Sequence, residues 1–272
     1  MVPPGDIGPI PIWAGVYLFL ALTGALSSYL FYFRVVRLIR QGGSVARFDR
    51  PWERLTGATA IVLGQRKVLQ RVPSKDWAGL AHALIFWGFL SFSLSYVIFI
   101  FIGSAWHSFP ERLLTGMGVR VFSTILDIQA AVLLVLLAWA LLRRWVTKPR
   151  RLSFDLTRSM DSVVIVGLIA VLMISTLLTH AFFVAKGGLG PEAEVLIGGA
   201  LGGWFTSLGI GQGAASFLHG VSWWVHLSII LGFSVYIPFS KHMHMVAAPL
   251  NAYFRSLEPR GALAPIDLEN AQ

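Results

Sequence analysis

Residues 214–245 read AASFLHGVSWWVHLSIILGFSVYIPFSKHMHM and contain the apolar stretch that decides the fold. No Asp, Glu, Lys or Arg occurs in this stretch before Lys241. Because a helix needs about 20 mostly apolar residues to cross a membrane, the stretch is predicted to be a spanning helix. Its histidines lie where ionisable side chains are costly, which makes them candidate functional residues.

Four further stretches have the same character, and together the five predict an all-α integral membrane protein built as a five-transmembrane-helix bundle. The predicted spans cover residues 12–36, 77–103, 119–145, 162–185 and 214–245. Composition agrees, since hydrophobic residues make up 56% and charged residues 13% of the chain, whereas soluble proteins carry about 25% charged residues. The membrane domain is placed at 1–255 and a tail at 256–272.

The distribution of Lys and Arg predicts the direction of the spans. Residues 34–77 carry ten of them, 143–158 six and 241–272 three, whereas the opposite side has only Arg112, Arg120 and Lys186. The positive-inside rule therefore puts the N-terminus outside and the C-terminus in the cytoplasm. Residues 37–76 become a cytoplasmic loop, and the glycine-rich residues 186–213 become an outer loop.

Net charge and cysteine content exclude several functions. The net charge of +9 follows membrane topology and comes without a nucleic-acid-binding motif, so no nucleic acid partner is expected. Cysteine is absent, which excludes disulfides, thiolate haem ligation and cysteine-held iron–sulfur clusters within this chain. Redox chemistry would need histidines, a bound cofactor or another subunit.

Helical geometry sorts the histidines of the fifth span. His226 and His244 are 18 residues apart and share one face of a continuous helix, with about 27 Å of rise between them. His219 falls within about 20° of that face, whereas His242 points about 160° away.

Two histidine pairs are predicted to hold two haems b. His82, on the antiparallel second span, has the depth of His244, and this pair is assigned to an inner haem. His180, on the fourth span, pairs with His226 at an outer haem. His219 is left open as the alternative outer ligand or as a partner of a haem propionate or quinone. For each pair, plain hydrogen bonding between helices is the other interpretation.

Asp127 is the only acidic residue inside a predicted span. A carboxylate at that depth is a candidate for proton exchange with a quinone. The alternatives are an ion pair with Arg120, which shares its helix face, or a bond to a histidine. His107 lies in a loop and is predicted to be a plain exposed residue.

The end of the fifth span resembles the last helix of the nitrate reductase gamma-subunit cytochrome b family, in which a proline–phenylalanine pair and a basic residue precede a haem-ligating histidine. The matching residues here are Pro238, Phe239, Lys241 and His244, with His226 at the second ligand position of that helix. His82 matches the first ligand on the second helix. The family also has two haems b and five spans, with the N-terminus outside.

A nearer likeness is to the membrane part of iron–sulfur reductases related to the heterodisulfide reductase D subunit. It is carried by Gln65–Leu69, His82–Phe89, Trp223–His226 and Ser240–His244. This resemblance implies a bacterial or archaeal cytoplasmic membrane, a quinone such as menaquinone, and a cytoplasmic cysteine-rich iron–sulfur partner of the D-subunit type.

Two departures from these families matter. The gamma-subunit pattern has a second histidine on the second helix where this chain has Phe92, so an outer haem would use His180 instead. The chain also stops near the point where its relatives begin their cluster domain, so the clusters are expected on a separate subunit, or the assembly is a different one.

These observations predict a b-type cytochrome subunit, part of a quinone-linked oxidoreductase, that transfers electrons between the quinone pool and the iron–sulfur partner. The alternatives are a non-redox membrane anchor for a peripheral enzyme and a proton-coupled transporter.

Overall fold

The computed structural model describes residues 2–6, 10–43, 47–70, 72, 77–147 and 156–258. Within them the regular structure is helical and no strand occurs. Five helices are long and apolar enough to cross a membrane, which confirms the predicted span count. They are α1 (Ile12–Ile39), α4 (Ala78–Ile102), α5 (Phe109–Val146), α6 (Leu156–Ala185) and α8 (Gln212–Tyr236), which the 3₁₀ turn Ile237–Phe239 extends.

Within the described residues, four shorter α-helices accompany them: α2 (Pro51–Val62), α3 (Arg66–Leu69), α7 (Leu196–Ser207) and α9 (His244–Tyr253). Helices α2, α3 and α9 lie at one end of the bundle, which we name the α2 end. Helix α7 lies at the other, which we name the α7 end. Which end faces the cytoplasm stays a prediction from the Lys and Arg distribution.

Helix α8 packs against α6 and α1, and α6 packs in turn against α5 and α7. Side chains of α4, α5 and α6 form one apolar cluster, which includes Phe92, Leu126 and Leu172. A second cluster joins α1, α8 and the end of α4. Gly88 lets α4 approach α5, because a Cβ there would lie 2.8 Å from Leu133 Cδ1. Small residues commonly allow such contacts between membrane helices.

Three segments differ from the sequence prediction. The predicted outer loop 186–213 contains helix α7, and the third helix begins at Phe109 with a non-helical residue, Thr115, near its start. The fifth span is not one helix to residue 245: it ends at Phe239, after Pro238, and Ser240 is extended. Proline removes a backbone donor and cannot continue a helix freely.

The described helices of the segment 37–76 contact other helices of the protein. Helix α2 packs against α9, and α3 packs against the start of α4. Arg54 of α2 is buried and donates to the carbonyl oxygen of Arg255 at 2.7 Å and to Asp49 Oδ1 at 2.8 Å. The end of the predicted membrane domain is therefore attached to α2. In the predicted tail, Glu258 accepts from Arg50, the residue before α2, at 2.8 Å, and 259–272 lie outside the described residues.

Candidate functional site

The α2 end brings together the pair of histidines predicted for the inner haem. The ring centroids of His82 and His244 lie 6.2 Å apart, with their planes inclined at 45°. Both side chains are exposed. His82 lies near the start of α4, which approaches α3 so closely that a Cβ on Gly79 would lie 2.8 Å from the carbonyl oxygen of Val68.

A backbone carbonyl orients the imidazole of His244. The Nδ1 atom of His244 lies 2.6 Å from the carbonyl oxygen of Lys241 and must donate to it, because a carbonyl oxygen only accepts. In the neutral ring the proton is then on Nδ1, and Nε2 keeps its lone pair. Metal-binding histidines are commonly oriented in this way.

His244 reaches His82 because the chain breaks between α8 and α9. The break consists of two short 3₁₀ turns, Ile237–Phe239 and Lys241–Met243, on either side of the extended Ser240. The single-helix geometry that related His226 to His244 therefore does not apply. The pairing of His244 with His82 depends on the turn.

His242 belongs to the same group, contrary to the prediction that it points away. Its ring centroid lies 5.6 Å from that of His244 and 4.9 Å from that of Phe233. Its Nδ1 atom is buried without a hydrogen-bond partner among the described residues. Burial, followed by the neighbouring His244, lowers the pKa of His242 to about 4, so the ring is neutral near pH 7.

The α7 end holds the other three candidate ligands, and they are closely packed. His180 is 2% exposed, and His219 and His226 are 0% exposed. The Nε2 atom of each is buried without a partner among the described residues. No ring contact joins His180 to His219 or His226 within the described chain, in contrast to the rings of His82 and His244.

The hydrogen bonds of His226 define its tautomer. Ser175 of α6 donates its hydroxyl proton to the carbonyl oxygen of Leu172 at 3.0 Å. Its Oγ therefore accepts from His226 Nδ1, which lies 2.8 Å away. As in His244, this leaves the lone pair on Nε2.

Asp127 gives His180 the same tautomer. The carboxylate is 0% exposed, and its Oδ1 lies 3.4 Å from His180 Nδ1. It also accepts from the backbone amides of Ile197 at 2.5 Å and Gly198 at 3.1 Å. These amides are in the first turn of α7, where helices have unpaired donors. The predicted alternative of a bond to a histidine is thus present, whereas Arg120 pairs with Glu194 at 2.9 Å.

His219 differs from the other two. Lys186 Nζ lies 3.0 Å from His219 Nδ1, and an ammonium group only donates, so Nδ1 accepts and the ring proton is on Nε2. Burial lowers the pKa of Lys186. An Nε2 that carries a proton cannot ligate iron. The geometry therefore favours His226 over His219 as a ligand.

The spacing of the two rings at the α2 end is compatible with a haem iron between them. A metal–nitrogen bond of about 2.0–2.1 Å and a ring radius of about 1.1 Å would place two axial imidazoles about 6 Å apart between centroids. The 6.2 Å spacing of His82 and His244 agrees with that value. At the α7 end, the free Nε2 atoms of His180 and His226 suit iron, but the packing leaves no exposed surface beside them for a porphyrin. Among the described residues no cluster of three or more His, Asp or Glu could hold a bare metal ion.

The sequence did not indicate the contact of Ser175 with His226, the contact of Lys186 with His219, or the position of His242 beside His244. The sequence feature that could have indicated the break before His242 and His244 is Pro238, because proline cannot continue a helix freely. His107 is exposed, as predicted.

Comparison with known proteins shows relatives that are much longer than this chain. This chain is 31% identical over 261 residues to the probable iron-sulfur-binding oxidoreductase FadF of Bacillus subtilis (strain 168). The match covers 93% of this chain and 34% of that protein. It is 27% identical over 242 residues to the EtfAB:quinone oxidoreductase of Syntrophomonas wolfei subsp. wolfei. That match covers 85% of this chain and 32% of the relative. The chain thus spans about a third of the length of these curated relatives. No protein-family model and no solved structure matches it.

Proposed function

We propose that this chain is the membrane subunit of a quinone-linked oxidoreductase, a b-type cytochrome that carries electrons between the quinone pool and an iron–sulfur partner. Relatives named as iron–sulfur-binding and quinone oxidoreductases support the electron-transfer role. The observation that carries the haem assignment is the pair of exposed rings of His82 and His244, 6.2 Å apart.

In this proposal His82 and His244 hold the haem, which supplies one-electron chemistry when bound. The Lys241 carbonyl keeps the His244 proton on Nδ1, so that Nε2 can act as a ligand. His242 packs beside that ring, and Phe233 packs in turn against His242.

A second haem between His180 and His226 stays a prediction from the sequence. Their buried Nε2 atoms supply suitable ligands, whereas a porphyrin would require α6 and α8 to move apart. We therefore place no step of the electron path there. The bonds of Asp127 to His180 and α7 favour an orienting role over the predicted proton exchange with a quinone such as menaquinone.

The α2 end offers a surface for the partner. Phe48 and Trp52 are each 76% exposed there, near the arginines Arg47 and Arg50. Aromatic and arginine side chains are enriched at protein interfaces. We propose that a cysteine-rich iron–sulfur subunit, of the heterodisulfide reductase D type that the sequence resembles, docks on this end and that it faces the cytoplasm of a bacterial or archaeal cell. A purified complex whose large partner covers the α7 end would contradict this.

A reduced-minus-oxidised optical spectrum of the purified protein tests the function. We expect b-type bands, and the reduced bands should disappear on addition of an oxidised quinone analogue. A spectrum without b-type bands would reject the cytochrome and favour the non-redox anchor or the proton-coupled transporter.

A further inference from the structure

The break between α8 and α9 sets the position of His244. This residue is the first of α9, and the preceding residues Ile237–Met243 form the two 3₁₀ turns around Ser240. Such short turns have few internal hydrogen bonds and poorer geometry than an α-helix. Contacts from outside the turn must therefore help to fix the direction in which α9 leaves α8.

One carboxylate of α6 contacts both sides of this break. Tyr236, just before the break, donates its hydroxyl to Asp161 Oδ1 at 2.6 Å. Lys241, after Ser240, donates its backbone amide to Asp161 Oδ2 at 3.2 Å. The next residue of α6, Ser162, accepts from Lys241 Nζ at 2.7 Å. The start of the α6 span thus holds the two ends of the break at a fixed separation.

We propose that Asp161 is a positioning residue that fixes His244 against His82. The connection runs through a single residue: Asp161 binds the amide of Lys241, and the carbonyl of Lys241 orients the imidazole of His244 at 2.6 Å. Hydrogen bonds to an ionised carboxylate are roughly twice as strong as neutral ones. Asp161 therefore fixes the position of Lys241, whose carbonyl in turn orients the His244 ring.

The cysteine-free sequence permits a test that does not depend on haem. The double variant His82→Cys/His244→Cys is joined in membranes with a short bifunctional thiol reagent, with and without Asp161→Ala. We expect the cross-linking yield to fall several-fold when Asp161→Ala is added and to recover in part with Asp161→Glu. Glu111→Ala, an exposed carboxylate at the start of α5, is the matched control and should leave the yield unchanged. Equal yields with and without Asp161→Ala would overturn the proposal.

A second measurement uses otherwise native protein and rests on the proposed function. In the Asp161→Ala variant we expect the haem reduction potential and the low-spin electron paramagnetic resonance signals to shift, with the amount of inserted protein unchanged. Tyr236→Phe, which removes one of the two contacts, should shift them less. If the wild-type protein has no b-type haem, the proposed function fails, whereas the cross-linking result still decides the role of Asp161. A wild-type potential in Asp161→Ala would overturn that role.

Discussion

The α2 end and the α7 end each hold three histidines, but in opposite surroundings. At the α2 end the rings of His82 and His244 are exposed and face each other. At the α7 end His180, His219 and His226 are buried among side chains. Residue type and membrane depth therefore do not by themselves identify a candidate cofactor ligand. Open space beside the ring and a free nitrogen are both required.

The partners of Nδ1 also differ between the two ends. A backbone carbonyl orients His244, whereas a serine hydroxyl, a carboxylate and an ammonium group bind the three rings at the α7 end. The first three partners leave Nε2 free to ligate, but the ammonium group of Lys186 does not. Among the three buried histidines, His219 is therefore the one whose ring proton is on Nε2.

The largest expected effect tests the two candidate haem ligands at the α2 end. His82→Ala or His244→Ala should abolish the absorbance of the haem at the α2 end, because an iron bound by two imidazoles loses one of them. The measurement is the reduced-minus-oxidised spectrum, with the exposed His107→Ala as control. Full haem retention in both variants would contradict the assignment.

The iron content per chain tests whether the α7 end, with His180 and His226, also binds a haem. If it does, the wild-type protein contains two irons per chain, and His180→Ala or His226→Ala lowers this to one. His219→Ala should keep two, because Lys186 occupies its Nδ1. A single iron in the wild-type protein would reject the second haem.

Asp127→Ala should destabilise the α7 end. It leaves the part-buried amide of Ile197 and the buried amide of Gly198 without an acceptor, which is expected to lower the free energy of unfolding by about 2–3 kcal/mol. Asp127→Asn, which keeps an acceptor oxygen, should lose less. Thermal unfolding in detergent measures the difference, and an unchanged transition in Asp127→Ala would show that α7 does not depend on this carboxylate.

Substitutions of two glycines of α7 test how closely this helix packs against His180 at the α7 end. A Cβ on Gly198 would lie 2.5 Å from His180 Cβ, so Gly198→Ala should cost about 1–3 kcal/mol of stability. Gly203, in the same helix, faces open space. Gly203→Ala should be neutral or stabilising by up to about 1 kcal/mol. Similar thermal transitions for the two variants would contradict the close approach of α7 to α6.

The smallest expected effect concerns His242, the third histidine at the α2 end. His242→Ala should keep the haem absorbance but shift its reduction potential, because the neutral ring packs beside His244 without orienting it. A redox titration measures the shift, and His107→Ala is again the control. Loss of the haem in His242→Ala would mean that His242 is itself a ligand.

Apolar stretches predicted the fold well because a span must satisfy its own backbone hydrogen bonds in lipid. All five spans were identified in this way, and His82 and His244 were correctly expected to lie together. Helix α7 was missed because its many glycines indicate a loop. Two of those glycines, Gly198 and Gly202, instead allow close packing: a Cβ on Gly202 would lie 2.6 Å from the carbonyl oxygen of Ala181.

The apolar stretches determined the number of helices long enough to span a membrane, and they made the histidines within them candidate functional residues, because polar groups are costly in lipid. Only the tertiary structure decided the position of His242, the link from Asp161 to His244, and the tautomers of His180, His219 and His226. The physical reason is that these depend on contacts between residues far apart in the chain. Asp161 and Lys241, for example, meet only after α6 and α8 have packed together.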